Sequence, residues 1–141
     1  MVNIGGPWEV LAPGIHDATM KEIEARYATN PQRNLIFKGL VAVIAGLRAA
    51  GCKDIYLDGS FVTEKEHPGD FDGCWDPTGV DDKKLDPILL DFTNKRANQK
   101  AKYRGEFFLS SGWAALGHTF LSYFQKDKDT GKPKGIIHVT K

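Results

Sequence analysis

Leu57-Asp58-Gly59-Ser60-Phe61-Val62-Thr63, followed by Pro68-Gly69-Asp70-Phe71-Asp72-Gly73-Cys74-Trp75, is the stretch whose reading decides the fold. An apolar run, Ile55-Tyr56-Leu57, leads into a glycine-serine turn, and the chain returns on a second run that alternates acidic and apolar residues. Successive side chains of a strand point to opposite faces, so Asp70 and Asp72 share one face while Phe71 enters the core. A glycine-serine turn leaving a strand presents backbone N–H groups and a hydroxyl to phosphate oxygens. The pairing is suited to bring phosphate and divalent metal to one point, which is half of a two-metal nucleotidyl-transfer site.

The rest of the chain sets the frame for that site. Its 141 residues fit one minimal domain, large enough to bury about two-thirds of the surface of the unfolded chain. Nineteen basic residues stand against eighteen acidic, so global charge argues for neither nucleic acid nor membrane. No stretch approaches the roughly eighteen apolar residues of a membrane span, and the N-terminal Met1-Val2-Asn3-Ile4-Gly5-Gly6-Pro7 has no signal-peptide pattern. Cys52 and Cys74 lack the spacing of a zinc site or a disulfide framework. These features lead us to expect a cytoplasmic protein.

Residues 1–16 are rich in Gly and Pro and are expected to form an irregular arm packed by Trp8, Val10 and Leu11. Asp17 is expected to cap a helix running to about Tyr27. Asn30-Pro31 reads as the start of a longer helix that ends at Gly51 and buries Leu35, Leu40, Val43, Ile44 and Leu47. Strands are expected at 54–58, 71–75, 107–109 and 136–139, and helices at 85–101 and 113–125, with a polar loop at 127–132. This order predicts an α+β (mixed α/β) fold, a mixed sheet of about four strands with helices packed mainly on one face.

Two carboxylates leave a two-metal site incomplete, and the best third is Glu106, which opens the apolar run Phe107-Phe108-Leu109. Asp91, Asp86 and Asp76 compete, but the first two fall on the expected helix and the third begins a loop. Lys95, Arg96, Lys100, Lys102 and Arg104 form a basic segment suited to a triphosphate or a nucleic-acid backbone, or else simply a solvated helix face. The chain has no calcium loop, no Walker loop and no dinucleotide-binding glycine triplet. His16, His67, His118 and His138 are scattered and read as structural or solvent-facing, and Trp8, Trp75 and Trp113 as packing anchors.

With those residues in place, the segment resembles the signature of the polymerase-β-like nucleotidyltransferase superfamily, glycine-serine followed by Asp-apolar-Asp and a later acid. Leu57–Thr63, Pro68–Asp72, Cys74-Trp75-Asp76 and Lys102-Tyr103-Arg104-Gly105-Glu106 are further similar to a group of short bacterial and prophage nucleotidyltransferase-like proteins. The superfamily motif covers residues 57–75, and the closer likeness runs from about Leu11 onward.

The resemblance implies a nucleotidyltransferase-type sheet, Mg²⁺ (or Mn²⁺), an NTP such as ATP as donor, and metal binding and catalysis by Asp70, Asp72 and Glu106. It places Ser60 near the terminal phosphates; Gly59 of the same turn and Lys100, Lys102 and Arg104 of the basic segment are the other nucleotide-binding candidates. It implies an RNA (tRNA) or protein acceptor, and a place in a toxin–antitoxin or phage-defence module with a cognate partner or a homodimer. The alternative is a catalytically inactive binding protein of the same fold, an antitoxin or nucleic-acid-binding subunit. Gly73 departs from the pattern by replacing an apolar residue, which is expected to weaken the strand or admit a ligand closely. The helical domain that holds the acceptor in many relatives is not recognisable, so acceptor binding is expected to fall to the basic segment or a partner.

Overall fold

The computed structural model describes residues 1–115, 118–127 and 130–141. Its elements are β1 (Gly14–Thr19), α1 (Met20–Tyr27), α2 (Pro31–Ala49), β2 (Ile55–Asp58), β3 (Phe71–Trp75), α3 (Thr93–Tyr103), β4 (Gly105–Leu109), β5 (Trp113–Ala115), β6 (His118–Thr119), α4 (Phe120–Tyr123) and β7 (Gly135–Thr140). Five strands form a mixed sheet in the order β1-β7-β2-β3-β4, while β5 and β6 make a separate two-stranded ribbon. The mixed α/β architecture expected from the sequence is therefore present, with five strands in the main sheet.

Alternation assigns every residue of the central strands to a face. Ile55, Leu57, Phe71, Trp75, Phe107, Ile137 and Val139 join Ile23 and Tyr27 of α1 and Ile36, Leu40, Val43 and Leu47 of α2 in the main core. On this face two glycines make room for two aromatic rings. Phe71 pairs with Gly105 and Gly73 with Phe107 across the parallel β3–β4 ladder, and the two rings lie 5.4 Å apart. A Cβ on Gly105 would run into the Phe71 ring, and one on Gly73 would meet the Phe107 ring and the Tyr56 carbonyl oxygen, the latter at 2.5 Å. Gly73 thus serves cross-strand packing, and the close approach expected there of a ligand is made by Phe107 instead.

The opposite face carries two rows across the strands. Asp58, Asp72 and Glu106 occupy paired positions on β2, β3 and β4, and Tyr56, Cys74 and Phe108 form the next row. A small second cluster covers this second row: Phe124 and Ile136 pack with Cys74, flanked by Phe108, Phe120 and Leu121. The carboxylate row lies beside that cover, at one end of the face.

Several local expectations are corrected. The expected arm is partly strand, since 14–19 pair in parallel with β7 from Gly14↔Gly135 to Thr19↔Thr140. The cap of α1 is Thr19, not Asp17: its hydroxyl accepts from Glu22 N while the Glu22 carboxylate accepts from Thr19 N. Asn30 caps α2 as expected, but Leu35 is 46% exposed, and Ile36 and Phe37 take the buried positions.

The segment expected as one helix over 85–101 is divided by two aspartate caps. Asp86 accepts from Ile88 N at the start of a single 3₁₀ turn (Pro87–Leu90), and Asp91 accepts from Thr93 N. Asn94, Lys95 and Arg96 are left-handed (φ 48°, 52° and 62°), so regular helix begins only after them. The helix expected over 113–125 is replaced by β5, β6 and the short α4, which Thr119 caps by accepting from Ser122 N. The polar loop at 127–132 is a turn in which Gly131 N donates to Asp127 O, although residues 128 and 129 of the expected loop lie outside the described residues. Among the described residues no helix is long and apolar enough to cross a membrane.

Candidate active site

Asp58, the last residue of β2, enters Gly59 with φ 86° and ψ −179°, a backbone conformation reserved for glycine. A short 3₁₀ turn, Ser60–Val62, follows, closed by Val62 N donating to Gly59 O and by the Thr63 hydroxyl donating to Ser60 O at 2.6 Å. Arg33, buried at the start of α2, clamps what comes next by donating to the carbonyls of Tyr27, Phe61, Thr63 and Lys65. Among the described residues no carboxylate forms an ion pair with this guanidinium; burial lowers its pKa, the nearby Glu64 partly offsets that, and carbonyl dipoles meet its charge and fix the loop.

The turn lies directly over Asp72. A Cβ on Gly59 would stand 3.0 Å from both the Asp72 amide nitrogen and its Oδ2. Glycine is thus required here twice, for its φ and for the contact. A cavity of about 650 Å³ opens at this point, with Gly59, Ser60, Asp70, Asp72, Asp58 and Lys134 in its wall. A volume of that size suits a nucleotide-sized ligand.

The cavity floor is rich in like charge. The Asp72 carboxyl is pushed up to about 7, first by burial and then by the neighbouring carboxylates of Asp70, Glu106 and Asp58. Lys134 opposes that shift. Paired side chains on adjacent strands stand about 5 Å apart, so a row of three carboxylates costs stability unless a cation relieves it. At each end of the row protein cations do so. Lys134 Nζ donates to Asp58 Oδ1 at 2.5 Å, and Arg96 Nε donates to Glu106 Oε2 at 2.7 Å with Lys100 Nζ at 3.4 Å.

The sequence-predicted residues therefore divide. Gly59, Ser60, Asp70 and Asp72 come together in one cavity wall. Glu106 shares the face of Asp72 and its register position, but Arg96 and Lys100 hold its carboxylate, and it does not line the cavity. Lys100 and Arg104 border a smaller neighbouring cavity of about 340 Å³ that shares Gly69 and Asp70 with the first. Lys102 goes elsewhere, to Asp86 at 2.5 Å, where the Tyr103 hydroxyl also donates. Asp86 and Asp91, the competing acids, serve as caps.

Among the described residues no three His, Cys, Asp or Glu are grouped so as to hold a metal ion. The donor set still suits magnesium, which takes one or two carboxylates and completes its shell with water and substrate phosphates. Asp70 and Asp72 supply two such carboxylates, and the crowding of like charge on Asp72 is what a divalent cation relieves.

Asp58 and Lys134 escaped the sequence reading. The parity of Tyr56-Leu57-Asp58 places Asp58 on the Asp72 face, a signal the motif Asp-Gly-Ser already contained, whereas Lys134 is separated from Asp58 by 76 positions. Nucleophilic chemistry by cysteine has no support: Cys52 and Cys74 are free and buried, and burial pushes their thiols up to about 11 and about 12. His138 ties strands together, bonded to Asp17 and Asp54 at 2.9 Å each, and His16 bonds the Ala12 carbonyl. His67 is exposed beside Glu66, and the side chains of His118 and Trp113 lie outside those described.

No curated protein and no solved structure matches the chain at a significant level. One family profile does, that of the family of unknown function DUF6932, over residues 7–140. Because the match spans nearly the whole sheet and both sides of the cavity, the chain belongs to this family.

Proposed function

We propose that the protein is a magnesium- or manganese-dependent nucleotidyltransferase that moves an NMP from an NTP to an RNA or protein acceptor. The observation that carries this reading is the contact of the Gly59-Ser60 turn with Asp72 inside a nucleotide-sized cavity. Asp70 and Asp72 would hold the cation, which when bound neutralises charge at the transferred and leaving phosphates. The chain's own contribution is positional. The turn offers backbone N–H groups and the Ser60 hydroxyl to terminal phosphates, while Arg33 keeps the following loop in place. Phe124, packed with Cys74, forms an apolar part of the cavity wall beside Asp58 and Asp72. Lys100 and Arg104 at the adjoining cavity would receive the phosphate backbone of an RNA acceptor next to Asp70. A cytoplasmic toxin–antitoxin or phage-defence setting, with a cognate partner or a homodimer, rests on the resemblance of the motifs alone.

One observation favours a second reading. The third acid of the motif, Glu106, is held by Arg96 and Lys100, as expected of a nucleotide-binding relative that has lost transfer. Incubation with each labelled NTP, Mg²⁺ or Mn²⁺, and cellular RNA and protein decides between them. Transfer of label that disappears in Asp72→Asn supports the enzyme; metal-dependent NTP binding without transfer to any acceptor supports the binding protein.

A further inference from the structure

We propose that Lys134, held in place by Asp58, binds the terminal phosphates of a metal-complexed polyphosphate in the main cavity. The inference deepens the nucleotide-site reading and rests on it. Asp58 is 5% exposed and the Lys134 side chain 12%, so both charges have been taken largely out of water. A buried ion pair seldom repays its desolvation, and well-packed apolar residues would serve a purely structural purpose as well or better. This pair is not sealed in the core: both residues form part of the cavity wall beside Gly59, Ser60 and Asp72.

An ammonium has three N–H donors, and the bond to Asp58 uses one. Asp58 immediately precedes Gly59, so the residue that holds the lysine also leads into the phosphate-facing turn. Lys134 immediately precedes β7, and its backbone is anchored by its own N–H donating to the Gln125 carbonyl and by the Gly135 N–H donating to the Leu11 carbonyl. The described wall carries three lysines against four aspartates. A bare polyanion therefore finds no net positive charge there, whereas a polyphosphate that arrives with a divalent cation brings the charge that Asp70 and Asp72 attract. Asp58 acts through Lys134 and is a positioning residue; Lys134 touches the ligand.

The test is calorimetric titration of the protein with inorganic tripolyphosphate, with Mg²⁺ and with EDTA, alongside urea denaturation of each variant. Lys134→Met alone strands a buried carboxylate and is expected to lose stability, so the deciding protein is the double variant Asp58→Asn/Lys134→Met, which removes both charges of the pair together. We expect the double variant to recover stability yet bind Mg²⁺–tripolyphosphate about tenfold or more weakly than wild type. Wild-type affinity in the double variant overturns the inference, as does wild-type binding that is absent or as tight in EDTA. Tripolyphosphate has no nucleotidyl group to transfer, so the two readings fail separately. Binding that needs Lys134 without any NMP transfer removes only the enzyme, and transfer with binding indifferent to Lys134 removes only this inference.

Discussion

Gly59 is the residue on which turn and site depend together. With φ 86° and a virtual Cβ 3.0 Å from Asp72, a Gly59→Ala protein is strained at its own backbone and pushed against the carboxylate. Denaturation should show a loss of about 1–3 kcal/mol, with weakened nucleotide binding. Asp72 supplies a second prediction at this scale. Its carboxyl is raised from 3.8 to about 7 in the folded protein, so between those values the folded state binds the extra proton. Stability of the metal-free protein should therefore fall as pH rises from about 4 to about 7 and level off above. Asp72→Asn should remove that slope and raise metal-free stability at pH 8 by about 1–3 kcal/mol; Mg²⁺ should stabilise wild type there and not the variant. A pH profile with no such fall, or one unchanged in the variant, contradicts this picture of the floor. Asp70, Asp72, Gly59 and Ser60 were legible in the sequence because turn chemistry and strand parity are local. Lys134 was not, since its partner lies 76 positions away and nothing in the local pattern of the 127–134 segment marks one lysine above another.

Strands β3 and β4 are locked by a reciprocal fit, Phe71 over Gly105 and Phe107 over Gly73. Gly73→Ala would drive a methyl against the Tyr56 carbonyl, a backbone atom that cannot swing aside, and against the Phe107 ring. We expect a loss near the upper end of the usual 1–3 kcal/mol for overpacking, measured by denaturation, because the sheet itself has to shift. Arg33 joins α2 to the loop beyond the turn. Arg33→Met would leave the carbonyls of Tyr27, Phe61, Thr63 and Lys65 without this donor. Stability should drop by about 3 kcal/mol or more, and nucleotide affinity should fall with it as the loop loosens.

Long α2 and strand β3 were readable because Asn30-Pro31 caps and alternation are strong signals. The 85–101 and 113–125 segments were not, because helical spacing of apolar residues says nothing of where Asp86, Asp91 and Thr119 divert the backbone into caps. Helix propensity yields there to side-chain hydrogen bonds, and the ribbon β5–β6 takes the place of a helix.

Across the whole molecule, β7 is the strand that completes the site. It lies between β1 and β2, pairing in parallel with one and antiparallel with the other, and the residue just before it, Lys134, reaches Asp58. The strand character of 14–19 was hidden because Pro13-Gly14 and the run Ile15-His16-Asp17 show no clean alternation, and a parallel edge strand is defined by its partner rather than its own pattern. The same sheet separates the main core on one face from the carboxylate row and the smaller apolar cluster on the other. That division is why the motif survives as a cavity wall while Phe71, between its two aspartates, is fully buried.

Whether the cavity around Asp72 binds metal and nucleotide together is decided by calorimetric titration with a non-hydrolysable NTP, with and without Mg²⁺, in wild type and Asp72→Asn. Saturable binding that requires the metal and is lost in the variant is expected. NTP binding that is absent from wild type, independent of metal, or intact in Asp72→Asn would contradict it.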